Sequence, residues 1–125
     1  VALLLAAAFA ELLLAAGLLR SSGADIVRFC WYGGTASALA AGALGWLAAL
    51  EMGAGTAHLD THRYLGIASS ALAVLGVVLE SRARDRKPDG PTRLWRAWLV
   101  VTAVVVGTTG HFGGLLVFGP DFFAF

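Results

Sequence analysis

Charged residues are scarce in this chain, and their scarcity excludes most water-soluble folds. Only 14% of the 125 residues are charged and 58% are hydrophobic, and the mean hydropathy is +0.78. A soluble globular domain carries about 25% charged and about 45–50% apolar residues. The polar surface is therefore too small to cover the chain in water, and we predict an integral membrane protein.

Cysteine is nearly absent, and so is any excess of one charge. Cys30 is the one cysteine, which excludes an internal disulfide and a C-x-x-C-H site for covalent haem attachment. The formal net charge is only +1, and the basic residues form no basic helix with interleaved aromatics, so we exclude nucleic acid as a partner. Phosphate-binding glycine loops, nucleophile elbows and zinc-protease motifs are also missing, so we expect a non-catalytic subunit rather than an enzyme.

Long apolar stretches, in contrast, fill most of the chain. Because a spanning helix takes about 20 residues, four of them leave room for loops but not for a second domain. We predict an all-α fold, a four-helix transmembrane bundle in one domain, residues 1–125, with spans at about 1–19, 29–50, 61–80 and 95–118. The chain begins with Val1 rather than methionine, so we expect residues upstream of it.

The basic residues indicate an orientation. Six of the nine lie between the third and fourth spans: Arg82, Arg84, Arg86, Lys87, Arg93 and Arg96. By the positive-inside rule this loop is cytoplasmic. We therefore expect a multi-pass protein of a bacterial inner membrane with both termini periplasmic. The sequence Pro-Asp-Gly-Pro at 88–91 predicts a turn within the cytoplasmic loop.

Two histidines are predicted at a similar depth on different helices. His62 begins the third span, and His111 lies 14 residues beyond Ala97 in the fourth, which is about 21 Å at 1.5 Å per residue. An axial ligand pair for a b-type haem has this arrangement. Glycines around His111 lack the Cβ atoms that a macrocycle would meet; they are Gly110, Gly113 and Gly114. The alternative is that His111 donates to a neighbouring carbonyl and that His62 is an interfacial polar residue.

Two further ionisable residues have open interpretations. His58 precedes His62 by four residues, so the pair could bind a divalent metal if this segment is helical. The simpler interpretation of His58 is a solvated loop residue. Glu11 interrupts the first span, where it belongs either to a proton path or, as we favour, to a pair with Arg20 or Arg28 near the inner surface.

Two short sequences resemble a known family. The sequence HRYLGIA at 62–68 and the sequence GHFGGLLVFG at 110–119 resemble a small four-helix "predicted membrane protein" family, a module also found at the front of planctomycete-type c-type cytochrome proteins. In that family a His-Phe-Pro motif precedes the first helix, and the given chain does not contain it. The resemblance implies that His62 and His111 ligate haem at the periplasmic side and that electrons pass to or from a c-type cytochrome.

The sequence therefore predicts a membrane electron-transfer subunit that binds a b-type haem near the periplasmic face and contacts the lipid bilayer. The alternative is a cofactor-free accessory subunit of a larger respiratory or photosynthetic complex. Small residues recur in spans two to four, as in Gly110 and Gly114, and such spacing is typical of close helix packing in membranes.

Overall fold

Every regular secondary-structure element among the described residues is a helix. The structure is a computed structural model, and it describes residues 1–20, 23–51, 57–86 and 93–119. The helices are α1 (Ala2–Ala15), α2 (Gly23–Glu51), α3 (Ala57–Arg86) and α4 (Arg93–Phe118). The prediction of an all-α, four-helix chain is confirmed. The turn predicted at 88–91 lies outside the described residues.

Three of the helices are long and apolar enough to cross a membrane. The candidate spans in α2, α3 and α4 run over 25 to 28 residues. At 1.5 Å per residue they cover about 38 to 42 Å, more than a hydrocarbon core of about 30 Å. Helix α1 has 14 residues, which cover about 21 Å, so a crossing by α1 stays a prediction.

The helices α2 and α3 extend beyond the predicted spans because charged residues do not end a helix. Helix α2 begins at Gly23, well before the predicted start at 29, and α3 begins at Ala57. His58 is therefore helical, and its interpretation as a loop residue is wrong. At 1.5 Å per residue each extension adds about one or two turns beyond the apolar stretch.

Helix α1 ends earlier than predicted, at a glycine. Gly17 has φ +72°, a left-handed conformation that glycine adopts without steric cost. The Leu18 amide donates to the Leu13 carbonyl at 2.9 Å, and the Gly17 amide donates to the Leu14 carbonyl at 3.0 Å. These two hydrogen bonds form a Schellman motif, which satisfies carbonyls at the end of the helix.

Each helix packs against two neighbours, so that the four form a ring: α1 on α2, α2 on α3, α3 on α4, and α4 on α1. Trp31 is the largest fully buried side chain among the described residues, and its ring meets Trp95 edge-on, with centroids 5.3 Å apart. Helices α2 and α3 approach closely because Gly76 has no side chain; a Cβ there would overlap the Trp31 ring. Close packing through small residues is thus present at this crossing.

The two ends of the bundle differ in chemistry. One end, which we call the arginine end, carries the basic residues Arg28, Arg82 and Arg96. The other, the histidine end, carries His58, His62 and His111. The antiparallel course of the helices places the start of α1, the end of α2, the start of α3 and the end of α4 together at the histidine end.

Two buried carboxylates lie at the arginine end, and each joins two helices. Arg96 Nε of α4 donates to Glu11 Oε1 of α1 at 2.9 Å, and Glu11 is only 4% exposed. Glu80 of α3 accepts from Arg28 Nε at 3.1 Å and from the Tyr32 hydroxyl at 2.9 Å, both on α2. The expected pairing of Glu11 with an arginine is present, but its partner is Arg96 on the adjacent helix rather than Arg20 or Arg28.

Candidate functional site

His62 is held in one orientation by the backbone of α4. Its Nδ1 lies 3.0 Å from the Thr109 carbonyl oxygen. A carbonyl only accepts hydrogen bonds, so Nδ1 carries the proton and donates it. In the neutral ring the lone pair then lies on Nε2. Histidines that bind metals usually donate their other ring N–H to a carbonyl or a carboxylate in this way.

A glycine on α4 makes room for the His62 ring. A Cβ at Gly113 would lie 3.0 Å from His62 Cε1, a distance at which the His62 ring would have to give way by a few tenths of an ångström. One turn earlier on α4, the Thr109 hydroxyl is 2.9 Å from the Ser69 hydroxyl of α3, and both side chains are buried. The crossing of α3 and α4 therefore fixes the position and the tautomer of His62.

Next to His62, a cavity of about 690 Å³ opens sideways between α2 and α3. We call it the histidine-end groove; its lining residues include Leu39, Gly42, Gly45, Trp46, Leu59, His62, Arg63, Gly66, Ile67, Ser70, Val74 and Leu75. Its volume is within the range of about 300–1,000 Å³ that is usual for ligand and cofactor sites. Mostly apolar walls with a few polar groups are also typical of such sites.

The space in the groove results from small residues on α2 and α3. A Cβ at Gly45 or at Gly66 would meet no atom within 4 Å, and a Cβ at Gly42 would lie 3.8 Å from the Ser70 hydroxyl. From the sequence, the small residues in these spans were expected to serve helix packing. The groove was not predicted, because Gly42 and Gly45 on one helix face are equally typical of a close contact.

Arg63 lies at the histidine end of the groove, where it makes a long hydrogen bond, a long ion pair and a cation–π contact. Its Nη2 donates to the Ala49 carbonyl at 3.3 Å, and its Nη1 is 3.6 Å from Asp60 Oδ1. The guanidinium carbon is 5.9 Å from the centre of the Trp46 ring. Its Nε is buried and has no hydrogen-bond partner among the described residues. No functional role was predicted for Arg63 from the sequence, although it directly follows His62.

His111 is exposed and lies on another side of α4. It is two residues from both Thr109 and Gly113, the residues that face His62, and two residues turn a helix by about 200°. Its ring contacts Phe112 edge-on at 5.9 Å between centroids. His111 does not line the groove. The structure therefore does not bring His62 and His111 to a common surface.

The three glycines around His111 have different surroundings. Gly113 lies under the His62 ring, and a Cβ at Gly110 would lie 3.7 Å from Val1 Cγ1 at the start of α1. Gly114 is half-buried on α4. None of the three lines the groove. The room that the sequence analysis assigned to these glycines for a macrocycle is found between α2 and α3 instead.

His58 lies one helical turn before His62 and is exposed. Its ring centre is 6.3 Å from that of Phe112. Over the described ranges, no group of three or more His, Cys, Asp or Glu side chains is arranged to hold a metal ion. The hypothesis of a divalent metal at His58 and His62 therefore has two ligands to draw on, fewer than structural or catalytic zinc sites usually have.

Comparison with known proteins gives no match: no family model, no curated protein and no solved structure matches the chain. The resemblance to the four-helix membrane family, with the haem ligands that it implies, stays a prediction. What the chain offers for a functional interpretation is the histidine-end groove together with His62 and Arg63.

Proposed function

We propose that the protein is a membrane electron-transfer subunit that binds a b-type haem in the histidine-end groove, with His62 as an iron ligand. The observation that carries the proposal is the hydrogen bond from His62 Nδ1 to the Thr109 carbonyl, in a side chain that also lines the groove. This bond leaves Nε2 as the basic nitrogen of the neutral ring. Imidazole nitrogen is a common axial ligand of haem iron.

The residues of the groove fit such a cofactor. The volume of about 690 Å³ and the apolar walls suit a flat, largely apolar molecule. A bound haem would supply one-electron redox chemistry, and the protein would supply binding, orientation and electrostatics. In this role, the Thr109 carbonyl orients His62, the walls at Gly45 and Gly66 leave space, and the apolar lining excludes water.

The proposal requires His62 but not His111. The His62 ring, which belongs to α3, packs against one side of α4, whereas His111 lies on another side of α4. The pairing of both histidines on one iron therefore stays a prediction without support from the geometry. The proposed redox partner is a c-type cytochrome on the side of the histidine end. This side is periplasmic in a bacterial inner membrane if the arginine end faces the cytoplasm, as the positive-inside rule predicts.

The test is a reduced-minus-oxidised visible spectrum of the chain, expressed with a supply of haem and purified in detergent, followed by extraction of any pigment. We expect the bands of a b-type haem and a non-covalent pigment that organic solvent extracts. A colourless protein that keeps its helical content and elutes as a single species would contradict the proposal.

A second candidate function, a cofactor-free accessory subunit, is favoured by one observation. Between residues 36 and 48 of α2, every residue except Ala38 is exposed, and many of them are alanine or glycine. An exposed apolar stretch rich in small residues allows a helix of a larger complex to approach closely. A colourless chain that co-purifies with a larger complex would favour this function, whereas a stable monomer carrying haem would count against it.

A further inference from the structure

We infer that Arg63 holds the carboxylate edge of the ligand in the histidine-end groove, and that the site therefore selects a porphyrin with free propionates. The inference rests on the proposed haem and identifies the group that recognises its anionic edge. Arg63 lines the same groove as His62 and follows it directly in α3. It is thus placed to meet the same ligand as His62.

The present contacts of Arg63 leave hydrogen-bonding capacity unused. A guanidinium has five N–H donors in a planar fork. The Ala49 carbonyl and Asp60 engage Nη2 and Nη1 at 3.3 Å and 3.6 Å, while the buried Nε has no partner among the described residues. The Asp60 side chain is 55% exposed, so this ion pair is weak. An unpaired buried donor is unfavourable, and a carboxylate accepts two parallel N–H bonds from such a fork.

The charge in the groove is complementary to an anionic ligand with an apolar body. Among the described residues that line the groove none is acidic, and Arg63 is the one permanent charge. The Trp46 ring, 5.9 Å from the guanidinium carbon, restricts the guanidinium by a cation–π contact. Val74 and Leu75 line the groove three turns further along α3. The ligand would therefore lie with its carboxylates at the histidine end and its apolar part toward the middle of the bundle.

The test compares iron protoporphyrin IX with its dimethyl ester, which keeps the iron and the ring but has no free carboxylates. Both are titrated into the full chain in detergent, and binding is followed by the change in the main visible absorption band. We expect the wild type to bind the free acid about tenfold more tightly or better, the magnitude of one charge-assisted pair. We expect Arg63→Gln to lose this preference and Arg63→Lys to keep part of it, because lysine retains the charge without the fork.

The matched control is Arg82→Gln, an exposed arginine at the other end of α3, which should keep the preference of the wild type. Equal binding of acid and ester by the wild type would overturn the inference while the proposed haem function stands. A preference that survives in Arg63→Gln would overturn it as well. Failure of the wild type to bind either porphyrin would overturn the proposed function and the inference together.

Discussion

Glu11 shows how a carboxylate is accommodated in an apolar helix. Its side chain is 5% exposed, whereas the side chain of its partner Arg96 is 43% exposed. A long arginine side chain can keep part of its length in apolar surroundings and place its charge near water. The pair therefore satisfies the buried carboxylate while the cation stays partly solvated. A proton path through Glu11 is not needed to explain why the carboxylate is there.

We predict that Arg96→Ala destabilises the bundle by about 1–3 kcal/mol, because it leaves the buried Glu11 carboxylate without its charged donor. The measurement is unfolding in mixed detergent, followed by the loss of helical circular dichroism. The control is Arg93→Ala, an exposed arginine one turn earlier on α4, which should change stability by less than about 0.5 kcal/mol. Equal losses in the two variants would show that the pair contributes nothing specific.

For individual residues, the sequence predicts that a buried polar group needs a partner but not which partner it has. Glu11 was expected to pair with an arginine near one end of the bundle, and it does. Its partner lies 85 residues further along the chain, and only the packing of α1 on α4 brings the two together. The same reason explains why Glu80, which had no assigned role, was not recognised as a buried acceptor for Arg28 and Tyr32.

One very close contact lies at the crossing of α2 and α3. The Trp31 ring lies directly on the backbone of Gly76, where a Cβ would overlap the ring. Toward the histidine end the same two helices leave a groove about 690 Å³ in volume. The groove lies between this close contact and the histidine end, where the hydrogen bond from Arg63 to the Ala49 carbonyl joins the two helices again.

We predict that Gly76→Ala destabilises the protein by about 1–3 kcal/mol, because the added methyl forces the Trp31 ring or the α3 backbone to shift. Unfolding in detergent measures the loss, and Trp fluorescence reports on the ring. Gly107→Ala on α4 is the matched control, since its Cβ would meet no atom within 4 Å. If both variants unfold alike, the close contact at Gly76 is not what holds α2 on α3.

The existence of the long helices is predictable from the sequence, and their ends and spacing are less so. Uncharged stretches identify α2, α3 and α4, because a buried or lipid-facing helix needs apolar side chains throughout. The end of α1 also has a sequence signal in Gly17, a usual helix-terminating residue. The groove has no such sequence signal, because Gly42 and Gly66 are compatible with both a tight and an open helix crossing. Which of the two forms depends on the angle between the helices.

For the molecule as a whole, the separation of the arginine end from the histidine end predicts one orientation in the membrane. The arginine end should face the cytoplasm, because basic residues near span ends are retained there. We therefore expect a cysteine at Thr61, introduced in a Cys30→Ser background, to react with a membrane-impermeant maleimide in intact cells with a permeable outer membrane. A cysteine at Arg82 should react only after the inner membrane is opened. The reverse pattern would place the proposed haem on the cytoplasmic side.

The fold class and the position of His62 near one end could be predicted from the sequence, because both depend on patterns along a single helix. The relation between His62 and His111 could not be predicted, because similar depth does not specify the angle around α4. His62 faces Thr109 and Gly113, while His111 lies about 200° around the helix from each of them. Depth alone therefore predicted a ligand pair that the structure does not bring together.

The central claim, that His62 is the ligand of a haem in the groove, is tested most directly by the reduced-minus-oxidised spectrum of three alanine variants. His62→Ala should lose the b-type haem bands while it still elutes as a folded, monodisperse protein. His58→Ala, one turn earlier on the same helix, and His111→Ala should both retain the bands. Bands that survive unchanged in His62→Ala would contradict the account, and bands lost only in His111→Ala would transfer the ligand role to α4.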